Sequence, residues 1–274
     1  MGNLAAGGTG KTPAVAWVVE VLKRAGRKPA ILSRGYGGDE TRLLRQSAPV
    51  IEEPDRVKGA QTAVAEGANV LVMDDGFQHP RLARDLDLVL IDATDPWGGG
   101  HLLPWGLLRE PKEALGRAGA VLLTRSDHAS PETLEGLRGE VSRLAPKALL
   151  AEAMHAPQGG AGWSGKRVLG VCGIGNPSAF RKTLEGLGAR VEAFHAFRDH
   201  HAYQAFEVEA LNVAARGLDD VVTTEKDWVK LEAFPEAAAW KVLKVRMALL
   251  KGGEALEQLI RTTVSSMNAE EVLG

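Results

Sequence analysis

The residues best suited to chemistry stand close together near the start of the chain, just before an apolar run. They are Gly7, Gly8, Thr9, Gly10, Lys11 and Thr12. Glycines in such a segment let backbone N–H groups turn toward an anion, a lysine at this spacing reaches the β- and γ-phosphates of a nucleotide, and the threonine hydroxyl binds Mg²⁺. Pro13 suits the first turn of a helix, whose N-terminus adds partial positive charge. We therefore predict a phosphate-binding loop that opens a helix from Thr12 to near Gly26.

Two features of this loop depart from the full phosphate-binding pattern. The residue five positions before Gly10 is Ala5, where the pattern has glycine, so the match covers only its second half. Only Met1 to Leu4 precede the loop, although such a loop normally follows a buried strand. A Gly-rich turn that caps a helix is the alternative interpretation. The sequence predicts either a late start or a loop without its usual first strand.

Acidic residues follow a second informative segment, the apolar run at residues 69–73. This run predicts a buried parallel strand, and Asp74 and Asp75 come directly after it. Phosphate-loop enzymes use such an acid to hold Mg²⁺, so Thr12, Asp74 and Asp75 are the predicted metal set, although a simple turn is the alternative. His79 is either a polar loop residue or part of the site.

Further candidates follow the predicted strand at residues 29–33. Ligands bind at the carboxyl ends of strands in open α/β sheets, so Arg34 is a candidate phosphate contact and Asp39 and Glu40 are candidate acids, with a solvated turn as the alternative. The long Gly- and Pro-rich loop at residues 97–111 combines apolar bulk with Arg109 and Glu110. Long loops of this kind are often functional; this one suits an amphipathic substrate, or its apolar residues pack it down.

Composition excludes several classes of protein. The chain has 33 lysines and arginines against 35 aspartates and glutamates, so it lacks the basic excess of a nucleic-acid-binding protein. A single cysteine, Cys172, excludes an internal disulfide and a thiolate metal cluster, which fits the cytosol. The sequence shows no signal peptide and no apolar run long enough to cross a bilayer, so we expect any membrane contact to be peripheral.

The order of predicted elements indicates the fold. Strands alternate with helices throughout, and the rhythm resumes after the linker-like residues 157–162 with strands predicted at 166–172, 191–197 and 220–224. The predicted fold is α/β, with a mostly parallel sheet of the P-loop NTPase type flanked by helices and a second, smaller α/β domain. The predicted domains are residues 1–156, which carry the phosphate-binding loop, and residues 157–274, a smaller C-terminal α/β domain.

The second domain carries Asp199, His200 and His201 in a polar loop. Zinc is excluded for want of further ligands at suitable spacing. General-base chemistry or phosphate contact is more plausible because histidine titrates near neutrality, and a solvated loop is the alternative.

Seven motifs in their order along the chain resemble the tetraacyldisaccharide 4'-kinase, or lipid A 4'-kinase, family. The resemblance spans nearly the whole chain and is carried by residues 2–13, 33–38, 74–79, 102–111, 173–177, 199–201 and 223–227. It implies transfer of the γ-phosphate of ATP to the 4'-hydroxyl of a tetraacylated glucosamine disaccharide 1-phosphate. The reaction would use Mg²⁺ at the cytoplasmic face of the bacterial inner membrane, with the enzyme as a peripheral monomer.

The resemblance also assigns roles by motif. Lys11 and Thr12 hold phosphates and metal, Asp74 and Asp75 serve the magnesium, and Asp39 works with His200 as the catalytic pair. The substrate contacts implied are Arg34, Glu40, His79, Arg109 and Glu110. Which of Asp39, His79 and His200 accepts the proton of the sugar hydroxyl remains open.

The chain differs from the family pattern at three places. It lacks the apolar N-terminal segment that meets the membrane and the strand that leads into the loop; Gly38 directly precedes Asp39; and residues 98–101 lack the usual Asn and Arg. Two other functions therefore compete with an active kinase. One is a truncated, non-catalytic relative, and the other is an ATPase of the partitioning or metal-delivery type. Ala6 argues against the ATPase, since those enzymes carry a lysine there.

Overall fold

The computed structural model describes residues 1–35, 38–159 and 162–265. Tyr36 and Gly37 of the Arg-Gly-Tyr-Gly-Gly motif, and residues 160 and 161 of the predicted linker, lie outside these ranges. The chain forms two compact units. The first contains Met1–His155 together with the chain from Met247 onward, and the second contains Ala156–Arg246.

The first unit contains the phosphate-loop segment and a mostly parallel sheet. Its elements are β1 (Gly2–Asn3), α1 (Lys11–Arg24), β2 (Pro29–Ser33), α2 (Gly38–Leu44), β3 (Val50–Glu52), α3 (Arg56–Ala65), β4 (Val70–Met73), β5 (Leu88–Asp92), β6 (Ala120–Thr124), α4 (Pro131–Leu144) and most of β7 (Leu149–Gln158). Strands β1, β5, β6 and β7 are neighbours in that order, and each pair is parallel. A smaller parallel sheet has the order β3-β2-β4.

A short first strand leads into the phosphate loop, which corrects the expectation that the loop lacks one. Gly2 and Asn3 pair in parallel with Val89 and Leu90 of β5. Two residues are too few to be recognised by alternation or by an apolar run. The pairing nevertheless places the loop at the carboxyl edge of the sheet, where ligands bind in this class of fold.

The predicted strands of the first unit occur as expected, because their side chains are apolar on both faces. All five residues of β5 and all five of β6 are buried, as parallel strands covered by helices require. Register in the small sheet aligns Leu32 with Met73. The segments that follow β2 and β4, which carry Arg34 and Asp74, therefore leave the sheet at the same edge.

The second unit repeats the α/β pattern on a smaller scale. Its elements are the end of β7, β8 (Arg167–Cys172), α5 (Pro177–Gly186), β9 (Arg190–Ala196), α6 (Ala205–Ala214), β10 (Asp220–Thr224), α7 (Glu225–Leu231) and the start of β11 (Lys241–Lys251). The strand order is β9-β8-β10-β11, and every neighbouring pair is parallel. The strands predicted at 166–172, 191–197 and 220–224 are therefore present.

The last helix, α8 (Gly253–Ser265), lies in the first unit, although the sequence assigned it to the second domain. Its buried residues Leu256, Ile260 and Val264 join the apolar core that also contains Val15 and Val19 of α1. Amphipathic periodicity predicts that such a helix packs, but not which sheet it packs on. The boundary near residue 156 falls inside β7. The division into domains 1–156 and 157–274 stays a prediction.

Helices of the described residues are short relative to a bilayer. None is both long enough and apolar enough to span a membrane.

Candidate active site

The phosphate loop ends in a glycine with a left-handed backbone. Gly10 has φ 83° and is the N-cap residue of α1, and the helix begins at Lys11, one residue before the predicted start. No side chain caps this helix, so its first N–H groups stay available to an anion. The Thr124 hydroxyl at the end of β6 donates to the Thr9 carbonyl at 2.9 Å. This bond fixes the loop to the edge of the sheet.

The Lys11 ammonium contacts two side-chain oxygen atoms. Its Nζ donates to Asn3 Oδ1 at 3.2 Å and lies 3.8 Å from Asp75 Oδ1, and 15% of its side chain is exposed. Asn3 is fully buried in β1 and also donates to the Ala5 carbonyl. Sequence reasoning missed Asn3, because its role depends on the pairing of a strand of two residues.

Asp75 joins two cations that come from separate parts of the chain. Arg109 Nη1 donates to both of its carboxylate oxygens, at 2.6 and 2.8 Å, and Lys11 Nζ lies 3.8 Å from Oδ1. Burial by itself would raise the pKa of Asp75. Lys11 and Arg109 together outweigh burial and lower that pKa, so Asp75 is ionised at neutral pH.

Asp74, the preceding residue, has the opposite electrostatics. Burial raises its pKa, Lys11 opposes that effect, and the charges of Glu40 and Asp75 add to it. Its Oδ1 is buried and has no hydrogen-bond partner among the described residues. A buried carboxylate oxygen without a partner is costly unless a ligand completes it.

These oxygens fit a Mg²⁺ ion. Asp74 Oδ1 and the Thr12 hydroxyl are hard donors of the kind that Mg²⁺ prefers, and the ion usually takes its remaining ligands from water and substrate phosphates. The part of the chain that the structure describes holds no group of three or more His, Cys, Asp or Glu able to bind a metal.

Buried and basic residues surround the Asp74–Asp75 turn. Arg56 is buried and donates to the Asp74 carbonyl at 3.2 Å. His79 has a buried Nδ1 with no hydrogen-bond partner among the described residues. Burial lowers the pKa of His79, and the charges of Arg56 and Arg34 lower it further, so its ring is neutral at neutral pH.

The candidates after β2 lie near the same turn. Asp39 is buried in the first turn of α2, and the Glu40 backbone N–H donates to its Oδ1 at 3.0 Å. The charge of Glu40 raises the pKa of Asp74, and the charge of exposed Arg34 lowers the pKa of Asp75. The structure thus brings Arg34 and Glu40 within electrostatic reach of the Asp74–Asp75 turn.

The loop at residues 97–111 is tied directly to the phosphate loop. Ala6 N donates to Leu107 O at 2.7 Å, and Arg109 N donates to Leu4 O at 2.8 Å. Glu110 forms an ion pair with Arg117 at 2.8 Å, and the hydrogen bond from Arg117 lowers the pKa of Glu110. Of the two predicted substrate contacts in this loop, Arg109 meets Asp75 and Glu110 is anchored by Arg117.

The predicted base in the second unit belongs to a polar cluster. His200 has φ 60°, and Lys226 Nζ lies 3.3 Å from its Nε2 and 3.0 Å from Asp199 Oδ1. His201 instead contacts Glu207 and stacks on Phe197. Asp39 belongs to the first unit and His200 to the second.

Two features behind the phosphate loop have no counterpart in the sequence analysis. His155 Nε2 is buried without a hydrogen-bond partner among the described residues, and burial lowers the pKa of its ring to about 3. Asp92 and Arg125, at the ends of β5 and β6, form a buried ion pair. Asp92 and Arg125 lie at or just beyond strand ends, which is the signal that could have found them, whereas His155 lies inside β7 and gives no such signal.

A left-handed glycine before a helix, a lysine at its first position and an unpaired carboxylate after a parallel strand define a P-loop nucleotide-binding protein with a phosphotransferase site. The family model described as tetraacyldisaccharide-1-P 4'-kinase matches residues 1–40 and 37–265. The chain belongs to that family. The two matched segments meet where Gly38 directly precedes Asp39.

Named relatives agree with this assignment. The chain is 44% identical to the tetraacyldisaccharide 4'-kinase of Anaeromyxobacter sp. strain K, covering 97% of this chain and 81% of that protein. It is 40% identical to the Rhodospirillum centenum enzyme, covering 88% and 78%. The crystal structure of LpxK from Aquifex aeolicus in complex with ATP superimposes with a TM-score of 0.68 at 26% identity, covering 96% and 87%. The ATPase and non-catalytic alternatives are not favoured by these matches.

Proposed function

We propose that this protein transfers the γ-phosphate of ATP to the 4'-hydroxyl of a tetraacyldisaccharide 1-phosphate. The observation that carries this proposal is the convergence of Lys11 and Arg109 on Asp75 beside the phosphate loop. Two cations from different segments at one point suit the charge that spreads over the oxygens of a phosphoryl group during transfer. Family membership supplies the acceptor.

The nucleotide is bound by the loop residues Gly7, Gly8, Thr9, Gly10, Lys11 and Thr12. Asp74 and Thr12, with Asp75 beside them, would hold Mg²⁺, which when bound neutralises phosphate charge and orients the transferring group. The remaining predicted contacts, which we assign to the acceptor and its phosphate, are Arg34, Glu40, His79, Arg109 and Glu110. Their position around the Asp74–Asp75 turn supports Arg34, Glu40 and His79.

A sugar hydroxyl is a poor nucleophile, so a base must accept its proton. We assign this work to Asp39 together with His200, with His79 as the second candidate acceptor. The buried position of Asp39 and the bond that its Oδ1 accepts from Glu40 N fix this carboxylate in place, which supports its role.

We extend the proposal to location and assembly. The acceptor in the family's description is acylated, which favours a peripheral position of this protein at the cytoplasmic face of the bacterial inner membrane. We expect the chain to act there as a monomer. Nucleic acid is not an expected partner, since the charges of the chain nearly balance.

The deciding experiment is phosphate transfer from γ-labelled ATP to tetraacyldisaccharide 1-phosphate in detergent with Mg²⁺. We expect labelled lipid from the wild type and a loss of about 10²–10³-fold in Lys11→Ala, because one charge-stabilising donor is removed. Lys23→Ala, an exposed lysine of the same helix, is the matched control. Equal product from Lys11→Ala, or release of free phosphate without lipid product, would contradict the proposal.

A further inference from the structure

Exposed apolar side chains are concentrated in one short part of the loop at residues 97–111. Among the described residues, seven large apolar side chains are exposed, and four of them lie within six consecutive positions: Leu102, Leu103, Trp105 and Leu107. Trp105 is 87% exposed. Single exposed apolar residues are ordinary, whereas a cluster marks a contact surface. We call residues 102–107 the apolar tip.

The backbone N–H groups of the apolar tip are bonded within the protein from Leu103 onward. Leu103 N donates to Leu108 O, Trp105 N and Gly106 N both donate to Leu102 O, and Pro104 has no N–H. Leu107 N donates to Gly98 O and Leu108 N to His101 O. Every backbone N–H from Leu103 to Leu108 is therefore satisfied inside the protein. Backbone donors that are already satisfied lower the cost of moving irregular backbone out of water.

Local packing holds the tip outward. A Cβ on Gly106 would overlap the carbonyl oxygen of His101, so the turn closes tightly at this point. At the base of the loop, Trp97 is buried, its Nε1 donates to Glu140 at 2.7 Å, and Lys112 lies over its ring. The exposed side chains thus project from a fixed base instead of folding back onto the protein.

The tip is continuous with the candidate active site. The two hydrogen bonds that follow it, Ala6 N to Leu107 O and Arg109 N to Leu4 O, connect it to the start of the phosphate loop. An acceptor with four acyl chains keeps those chains in a bilayer while its hydroxyl reaches the γ-phosphate. The surface beside the phosphate loop must then face lipid.

From these observations we infer that the apolar tip, residues 102–107, inserts into the interfacial region of a lipid bilayer. Tryptophan and leucine are the side chains that favour this region. The inference rests on the proposed function, because the lipid acceptor is the reason for a bilayer at this face. It adds a defined docking surface to the peripheral contact proposed above.

The test is sedimentation with vesicles of phosphatidylethanolamine and phosphatidylglycerol, with no ATP and no acceptor lipid present. We expect the wild type to bind and the double variant Leu103→Ser/Trp105→Ser to bind about tenfold more weakly or worse, since two exposed apolar side chains that would enter the lipid are removed. Binding should persist at high salt, because apolar contacts are not screened. Phe206→Ser, which removes a comparably exposed aromatic side chain from α6, is the matched control.

A second readout locates the insertion. The chain has six tryptophans, so quenching by brominated lipids is compared between the wild type and Trp105→Phe, which keeps the apolar character. We expect most of the quenching to disappear in Trp105→Phe. Wild type that stays in the supernatant, or a double variant that sediments like the wild type, would overturn the inference.

Two further results separate the explanations. If sedimentation velocity shows that the tip joins two copies of the chain, and the double variant loses that association without a change in vesicle binding, the inference is wrong. Vesicle binding requires neither ATP nor acceptor, so its failure is distinct from a failure of phosphate transfer in detergent, which tests the proposed function alone.

Discussion

A Cβ atom on Gly10 would lie 2.5 Å from Nε2 of His155. Gly10 supplies the left-handed turn before α1, and His155 closes the space behind that turn from β7. The phosphate loop is thus shaped by a side chain that follows it by 145 positions. Glycine is required twice here, once for its φ of +83° and once for the absence of a side chain.

Gly10→Ala tests this relationship. We expect loss of ATP binding and a fall in stability beyond the roughly 1–2 kcal/mol of a left-handed alanine, because the new methyl group meets a ring held by its surroundings. Gly26→Ala is the matched control, since Gly26 has φ +74° and nothing within 4 Å of its Cβ position. Thermal unfolding and calorimetric ATP titration give the two readouts.

The double variant Gly10→Ala/His155→Ala separates the steric clash with His155 from the backbone strain of a left-handed alanine. Removing the ring should recover the part of the stability loss that exceeds the Gly26→Ala effect. Equal stability of Gly10→Ala and Gly26→Ala would show that His155 imposes no constraint on the loop.

The contact between Arg109 and Asp75 predicts a specific pH dependence. Lys11 and Arg109 overcome burial and hold the pKa of Asp75 below its unfolded value. Its contribution to stability is therefore present above the unfolded pKa and is lost as the pH falls through the folded pKa. In Arg109→Met the folded pKa rises, so we expect acid unfolding to begin at a higher pH.

Urea unfolding between pH 2 and 7 measures that shift. In an Asp75→Asn background the Arg109→Met substitution should leave the pH dependence unchanged, because the titrating group is gone. An equal acid shift in both backgrounds would place the effect on another carboxylate.

Asp74→Asn should raise the stability of the protein, whereas Arg109→Met should lower it. Burial, with Glu40 and Asp75, raises the folded pKa of Asp74 above its unfolded value. The stability linked to this group is therefore fully present below the unfolded pKa and is lost as the pH rises through the folded pKa. We expect the nucleotide-free Asn variant to be more stable than the wild type at neutral pH, with the difference shrinking in acid.

The same variant should need more Mg²⁺ for phosphate transfer, because a candidate ligand is replaced by a neutral amide. Stability is measured by thermal unfolding and function by Mg²⁺ titration of the kinase assay. A variant with lower stability at neutral pH and an unchanged Mg²⁺ requirement would remove Asp74 from the metal site. Such an exchange of stability for function is expected where a site carries an unsatisfied charge.

Asp39→Ala and His200→Ala test the assignment of the base. Each should lower turnover by about 10²–10⁴-fold with ATP binding retained, since proton acceptance is lost while the phosphate loop is intact. The double variant should fall little further than either single variant if the two act as one unit. Exposed His195 in β9 supplies the matched control, His195→Ala.

Multiplicative losses in the double variant would assign Asp39 and His200 to separate steps. Near-normal turnover of both single variants, with a large loss in His79→Ala, would move the base to His79.

Local sequence determined much of the fold. The apolar runs of β2, β4, β5 and β6 predict buried strands because parallel strands between helices have no polar face. The glycines, Lys11 and Thr12 predict the phosphate loop because its chemistry is carried by neighbours in the chain. Arg34 and Asp74 could be placed at one sheet edge for a similar reason, since both follow parallel strands.

Only the tertiary structure placed the residues whose role depends on distant partners. Asn3 contacts Lys11 because two residues pair with β5, and Arg109 contacts Asp75 because a loop returns to the phosphate loop. His155 faces Gly10 because β7 carries it there. Strand and helix periodicities are properties of neighbouring residues. They predict which side chains are buried, but not which distant residues pack against them. Contacts across tens of residues are set by strand order and packing, and these emerge only when the whole chain has folded.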